Sequence, residues 1–231
     1  MRGMAKIFLY AKLIFAFLGV FSLIKPLQAL TPQQEIIEKA RLTFLKLVTG
    51  QEFKSLPGYV KQAKAILIFP NLVKGGFIVG AEGGTGVLVV RDDVKGWSDP
   101  AFYTLASGSI GLQIGGQVSE VVFTIMTPKG VEALIRNQFK FGGSVSIAAG
   151  PVGIGVGTSS GTNFEADVYS FSSSVGLFGG ISFDGAGVLA RESHNTAYYG
   201  RGATPQSILI DRRFTNPEAK LLKDAITQYS R

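Results

Sequence analysis

The chain has 231 residues, 46% of them hydrophobic and 11% aromatic, which is enough for one packed domain and too apolar for a disordered chain. It holds no cysteine, which excludes a disulfide framework, a thiolate zinc site and a lipid-modified N-terminal cysteine. The formal charge of +7 is uneven: residues 1–29 carry four basic and no acidic groups, residues 30–75 carry +4 and residues 76–231 carry −1.

Arg2, Lys6 and Lys12 form a basic start, Leu13 to Ile24 is an apolar run of twelve residues, and Lys25-Pro26-Leu27-Gln28-Ala29 ends on a small side chain. That is the tripartite pattern of a secretory signal peptide, and the apolar run falls short of the roughly 20 residues that a spanning helix needs. Cleavage is expected near Ala29-Leu30, giving a periplasmic or secreted chain; the alternative is a retained anchor. Residues 30–231 are expected to form a single domain with a helical segment over 32–64, a glycine-rich β core over 65–210 and a C-terminal helix over 216–230.

Thr31-Pro32-Gln33-Gln34 reads as a helix start, with Thr as cap, Pro at the first position and Gln closing a capping box. Ile36, Ile37, Ala40, Phe44, Leu47 and Val48 follow helical spacing up to Gly50, and Lys39, Arg41 and Lys46 fall off that stripe. The stripe is expected to pack on the domain's own sheet, leaving the basic side free for an anionic partner. Pro57-Gly58 is expected to break the chain, with a short helix over 59–63 and a buried strand over Ala65–Phe69. Phe77–Ala81 and Thr85–Val90 read as a hairpin turning at Glu82-Gly83-Gly84. Ile110, Leu112 and Ile114 alternate with period two. A bulge is expected at Gly115-Gly116 before a strand over Val118–Met126. Val131, Leu134, Ile135 and Phe139 then give a short helix ending at Gly142-Gly143. Strands are expected at 145–147, 152–156, 164–171 and 180–183, with Asp184-Gly185 as a hairpin turn and a last strand near Thr204–Ile210. Asn216-Pro217-Glu218 caps the final helix.

Of the 30 glycines, 26 lie between Gly75 and Gly202, so this stretch is built differently from the helical segment before it. Glycine within strand-like runs marks bends, bulges and close backbone approach. The fold class expected is α+β, mainly β: a curved antiparallel sheet or barrel-like sandwich with an N-terminal amphipathic helix and a C-terminal helix.

Nucleotide and catalytic motifs fail on context. Gly153-Ile154-Gly155-Val156-Gly157 leads into Thr-Ser-Ser rather than a helix, and no Gly-Lys-Ser/Thr occurs. Gly157-Thr158-Ser159-Ser160-Gly161 matches Gly-x-Ser-x-Gly by letter but precedes a strand-like run, where a nucleophile elbow needs a helix. The single histidine, His194, sits in Glu192-Ser193-His194-Asn195, read as a polar loop, and one histidine leaves no His-His metal site. Asp92-Asp93 reads as a turn, and no alternating calcium loop is present. Trp97 is expected in the core, and Tyr198-Tyr199 in the core or at an aromatic lip. No enzyme, no cofactor, no metal and no nucleic-acid partner are expected.

Six ordered blocks resemble the SYLF domain family: Lys74-Gly75-Gly76-Phe77, Trp97-Ser98-Asp99-Pro100, Gly111 to Gln117, Ala148 to Gly153, Gly176 to Gly185, and Ala197-Tyr198-Tyr199-Gly200. The likeness runs from about Ile36 to about Gly200. Many members carry Arg after the Gly-Pro-Leu/Val-Gly block where this chain has Ile154, and eukaryotic members lack a secretion signal. The resemblance implies phospholipid binding, and a yeast actin-patch member also binds actin filaments. In an exported chain actin is not an expected partner. The basic residues that would meet anionic lipid are Lys39, Arg41, Lys46, Lys54, Lys61 and Lys64. The alternative is an envelope structural or protein-interaction module without a lipid ligand.

Overall fold

Hydrophobic runs in the computed structural model form a nine-stranded sheet buried on both faces over half its length. The structure describes residues 29–76, 79–110, 115–143, 145–150, 166–176, 183 and 185–231. Residues 1–28 of the expected leader, the expected strand over 152–156, Ser159 and most of the segment over 180–184 lie outside them.

In chain order, helix α1 (Pro32–Thr49) and a 3₁₀ turn (Gln51–Phe53) precede helix α2 (Leu56–Gln62). Strands β1 (Ala65–Gly76), β2 (Val79–Asp92), β3 (Gly96–Trp97), β4 (Ala101–Ile110) and β5 (Gly115–Ile125) follow. After helix α3 (Pro128–Ile135) come β6 (Phe139–Lys140), β7 (Ile147–Ala149), β8 (Val168–Gly176) and β9 (Gly187–Ala190). Helix α4 (Glu192–Tyr199), a π-helical turn (Gln206–Ile210), a 3₁₀ turn (Pro217–Ala219) and helix α5 (Lys220–Tyr229) close the chain. The strand order is β6-β9-β4-β2-β1-β5-β8-β7, with β3 paired to β2. All pairings are antiparallel except β7 with β8. A parallel bridge from Phe141 to Val145 draws the two ends of this path together, so the sheet curls into a half-barrel.

Strand periodicity divides the core in two. Ile66, Ile68, Val87, Val89, Phe102 and Val122 point outward and meet Ile37, Ala40, Phe44 and Leu47 of α1, Leu56 and Val60 of α2, and Leu222 and Ile226 of α5. Leu67, Phe69, Leu88, Tyr103, Phe123 and Val188 point inward and pack with Phe139, Phe141, Phe183, Leu134 and Ile208. Burial on both faces explains why Ala65-Ile66-Leu67-Ile68-Phe69 and Val87-Leu88-Val89-Val90 are continuous apolar runs.

Proline has no N–H for the ladder, and Pro70 sits in β1, a central strand. The register accommodates it with a bulge. Phe69 pairs with Val121 and Leu72 with Ser119, so Pro70-Asn71 faces the single residue Glu120. The same extra residue appears against β2 between Ile68 and Val73. The bulge presses the β1 backbone onto β2, where a Cβ on Gly84 would stand 2.2 Å from the Asn71 carbonyl oxygen and one on Gly86 2.2 Å from that of Ile68. Glu82-Gly83-Gly84 is therefore the middle of a continuous strand, not the expected turn. The expected bulge at Gly115-Gly116 is likewise absent, since the register there is regular.

Four other expectations change. Helix α3 stops at Ile135, and Phe139, expected within it, pairs with Val188 as part of β6. Pro57-Gly58 lies within the first turn of α2, where proline is accepted, instead of breaking the chain. Glu192–Tyr199 is a helix rather than a loop. Its polar face is turned inward: buried Asn195 accepts from the Phe102 N–H at 2.8 Å and donates to the Phe102 carbonyl at 3.4 Å. Thr204–Ile210 forms the π-helical turn, not a strand. The Trp97-Ser98-Asp99-Pro100 block fastens four separate elements. The Trp97 indole donates to Ser230 Oγ (2.9 Å), and Ser98 Oγ accepts from the Val90 N–H (2.9 Å). Asp99 accepts from the Asn216 N–H (3.0 Å) and Lys223 Nζ (2.7 Å), and the Pro100 carbonyl accepts from the Tyr199 hydroxyl (2.6 Å).

Gly86→Ala is expected to destabilise the fold by about 1–3 kcal/mol, the usual cost of overpacking. Gly108→Ala, whose Cβ would meet nothing within 4 Å, is expected to leave stability nearly unchanged. Thermal unfolding followed by circular dichroism compares the two, and equal midpoints would contradict the bulge argument.

Candidate functional site

The basic residues of the N-terminal segment divide into two groups. On α1, the apolar stripe is spent in the core, with Ile37, Ala40, Phe44, Leu47 and Val48 all buried. Its cations face solvent in ion pairs. Lys39 pairs with Glu35 one turn earlier (2.6 Å), Arg41 holds Glu38 through two nitrogens (2.5 and 2.8 Å), and Lys46 reaches Glu120 on β5. The Arg41 hydrogen bond holds the Glu38 carboxyl below its ordinary range. Exposed pairs of this kind contribute little and are screened by salt, so Lys39 and Lys46 can exchange their carboxylates for a phosphate at small cost.

Lys54, Lys61 and Lys64 form the second group, exposed on and around α2. Lys61 and Lys64 approach Arg91 at the end of β2. Arg91 donates to the Lys61 carbonyl (2.6 Å) and lies 6.0 Å from the Trp97 ring centre, which fixes its guanidinium. Lys64 and Arg91 edge an open groove of about 490 Å3 with an apolar floor of Val90, Val131, Ile135 and Ile210. Arg136, paired with Glu132 at 2.8 Å, lines it as well. Nothing in the local sequence joins Lys64 to Arg91; the pairing of Ala65 with Val90 brings them together.

The other residues singled out by sequence fall elsewhere. His194 lies on α4, edge-on to Phe102 at 5.9 Å, and burial lowers its imidazole pKa, with Arg191 adding to the effect. It shares a cleft with Glu35, Lys39, Asn71, Thr85 and Arg191, and Arg191 donates to the Thr85 hydroxyl. Asp92 caps the turn to β3 by accepting from the Val94 and Lys95 N–H groups. Trp97 is in the core as expected, and Tyr198 and Tyr199 pack inward on Phe102 and Phe214. Among the described residues no three His, Cys, Asp or Glu side chains converge on a metal position.

A polar row inside the half-barrel had no signal in the sequence beyond alternation. Past the bulge, Lys74 of β1 lies between Glu82 of β2 and Gln117 of β5, and Glu82 faces Ser107 of β4. Gln117 donates to Ser119 (3.1 Å), whose hydroxyl meets that of Ser174 (3.1 Å). Glu82 is buried, and desolvation raises its carboxyl pKa against the opposing pull of Lys74.

The architecture is that of an α+β protein with a curled, mostly antiparallel sheet and helices on its outer face. No solved structure matches the chain. The family model described as Ysc84, a Las17-binding protein actin regulator, matches residues 106–229. The chain is similar to Protein YSC84 of Saccharomyces cerevisiae, 32% identical over 168 residues, or 71% of this chain and 36% of the yeast protein. It is also similar to the SH3 domain-containing YSC84-like protein 1 of Xenopus laevis, 30% identical over 176 residues, 75% of this chain and 52% of that protein. The LAS seventeen-binding protein 3 of S. cerevisiae is 31% identical over 159 residues, 68% of this chain and 34% of that protein. The chain thus spans from about a third to about a half of the length of these relatives. It belongs to the SYLF, or Ysc84, domain family.

The buried Glu82 predicts a pH effect. A carboxyl raised on folding favours its protonated form in the native state. Its contribution is therefore most favourable below the unfolded value, near 4.3, and is lost as pH rises through the raised native value. Glu82→Gln should match or exceed the parent in stability at neutral pH and show a shallower fall between acid and neutral pH. Urea titrations across that range test this. A Gln variant that is weaker at pH 7 and keeps the parent's slope would show that Lys74 governs the site instead.

Proposed function

We propose that this chain is a non-enzymatic, exported module that binds anionic phospholipid surfaces through the basic residues of its N-terminal helical segment. The observation that carries the reading is the division of α1, whose apolar side is consumed by the core while Lys39 and Lys46 face solvent in weak pairs. Lys54, Lys61 and Lys64 extend the same positive excess, and residues 30–75 hold +4. Each cation held near an anionic surface contributes about 1 kcal/mol within a Debye length of roughly 8–10 Å. The basic start and short apolar run before Ala29 support export, which is incompatible with a cytoskeletal ligand.

A second reading, a protein ligand, is favoured by one observation. The matched residues 106–229 leave out α1 and α2 altogether, and the family model is described as Las17-binding. On that reading the sheet and α5 would carry the contact.

Co-sedimentation of the chain from Leu30 onward with anionic and zwitterionic vesicles separates the two. Preferential binding to anionic vesicles that weakens with salt is expected, and Lys39→Glu with Lys46→Glu and Lys54→Glu should weaken it at least about tenfold, roughly 1.4 kcal/mol. Unchanged binding by the folded triple variant, indifferent to salt, would overturn the electrostatic reading. For export, the protein isolated from its host should begin at or near Leu30; an intact Met1–Arg231 mass would refute cleavage.

A further inference from the structure

Because α1 spends its apolar stripe on the core and leaves only Leu42 exposed among its large apolar side chains, a broader apolar contribution must come from elsewhere. The outer face of the sheet changes character at the Pro70-Asn71 bulge. Before it, outward side chains lie beneath the helices. Beyond it, Val73, Val118 and Val175 stand opposite one another on three adjacent strands, 55%, 45% and 78% exposed. Ala81 and Ala106 are also exposed, and a Cβ on Gly75 or Gly108 would meet nothing within 4 Å. None of these outward positions carries a charge or a hydrogen-bonding group. The inward positions of the same strands carry Lys74, Glu82, Ser107, Gln117 and Ser119. Apolar outside and polar inside reverses the pattern of a sheet that packs one face on a core and wets the other, and it is the alternation of strands that meet lipid.

Cations stand at the border of this patch. The Lys46 ammonium is on Glu120, two residues from Val118, and Lys39 shares a cleft with Asn71, two residues from Val73. Glu35, the partner of Lys39, is exposed, and Glu120, the partner of Lys46, is half-buried and keeps the Thr43 hydroxyl as a donor when the lysine leaves. An uncharged face bordered by lysines complements an acyl layer beneath a plane of phosphates.

We infer that the outer face of the sheet beyond the bulge dips into the acyl-chain layer of an anionic bilayer, with Lys39 and Lys46 at the depth of the phosphates. The inference rests on the membrane reading above, fixes its orientation and narrows its cations, since Lys61 and Lys64 are then turned away from the lipid. The stretch from Val73 to Gly76 reaches about 10 Å at roughly 3.3 Å per residue, which suits insertion into one leaflet. Lys64, nine residues before Val73, then lies about 30 Å away by the same rise, well beyond a Debye length, so the groove beside Arg91 faces solvent.

The test uses vesicles of mixed phosphatidylglycerol and phosphatidylcholine. Val118→Lys with Val175→Lys adds two positive charges at exposed positions. Contact by charge alone would tighten binding, whereas burial of this face in the acyl layer should weaken it at least about tenfold. Circular dichroism establishes that the variant is folded. The chain has no cysteine, so Val175→Cys and Lys61→Cys each give a unique site for an environment-sensitive fluorophore. The Val175 label should be quenched by bromine on the acyl chains and the Lys61 label should not. Binding by the double-lysine variant equal to or tighter than the parent, or quenching at Lys61 without quenching at Val175, would overturn the inference alone. Failure of the parent to bind these vesicles at all would overturn the membrane reading together with it. A parent that sediments as a dimer, dissociated by the lysine substitutions, would assign the face to a second copy of the chain.

Discussion

The accommodation of Pro70 in a central strand governs the rest of the molecule. A proline there removes a ladder donor from β1, and the chain absorbs this by adding a residue opposite Glu120. The added residue resets the pleat, so Phe69 and Leu72 both face inward. It also brings carbonyls so close to β2 that only glycine fits at 84 and 86. The apolar half of the sheet, with its two cores, ends at this point. The half with a polar interior begins there, and α1 lies along the boundary through Lys46 and Glu120.

Helices α1 and α5 are joined over the same sheet. Phe44 of α1 meets Tyr229 of α5 edge to face at 6.1 Å. The Trp97-Ser98-Asp99-Pro100 block holds Ser230, Asn216, Lys223 and Tyr199 in place. A buried pair such as Asp99 with Lys223 adds little net stability once desolvation is counted, but losing one partner strands the other charge. The block that carries part of the family resemblance therefore has a structural account in its own right: it specifies where the C-terminal segment docks. Its contacts are remote in sequence, so a motif search detects the block without revealing its purpose.

Elements with a strong local signal were legible in the sequence. The stripe of α1, the Asn216 cap before α5, and the apolar runs of β1 and β2 all rest on spacing and end chemistry. Signals failed where tertiary contacts decide. Gly83-Gly84 looks like a turn by composition, yet its glycines answer to crowding from β1. The helix over Glu192–Tyr199 lacks an apolar stripe because the residue it buries is Asn195, satisfied by the backbone of β4. The six basic positions were readable as a charge excess, but the sequence did not reveal that Lys39, Arg41 and Lys46 find carboxylates. Nor did it reveal that Lys64 meets Arg91, because strand pairing sets that distance.

The strand path ends at β6 and β7, which are two and three residues long and follow each other in the chain. Sheets tend to self-associate through long edge strands with unpaired N–H and C=O groups, and very short edges offer little template for another chain. The Phe141–Val145 bridge occupies part of what remains. Where β6 and β7 meet, the fold thus offers little edge for another chain to extend, and self-association at this seam falls to the faces of the sheet.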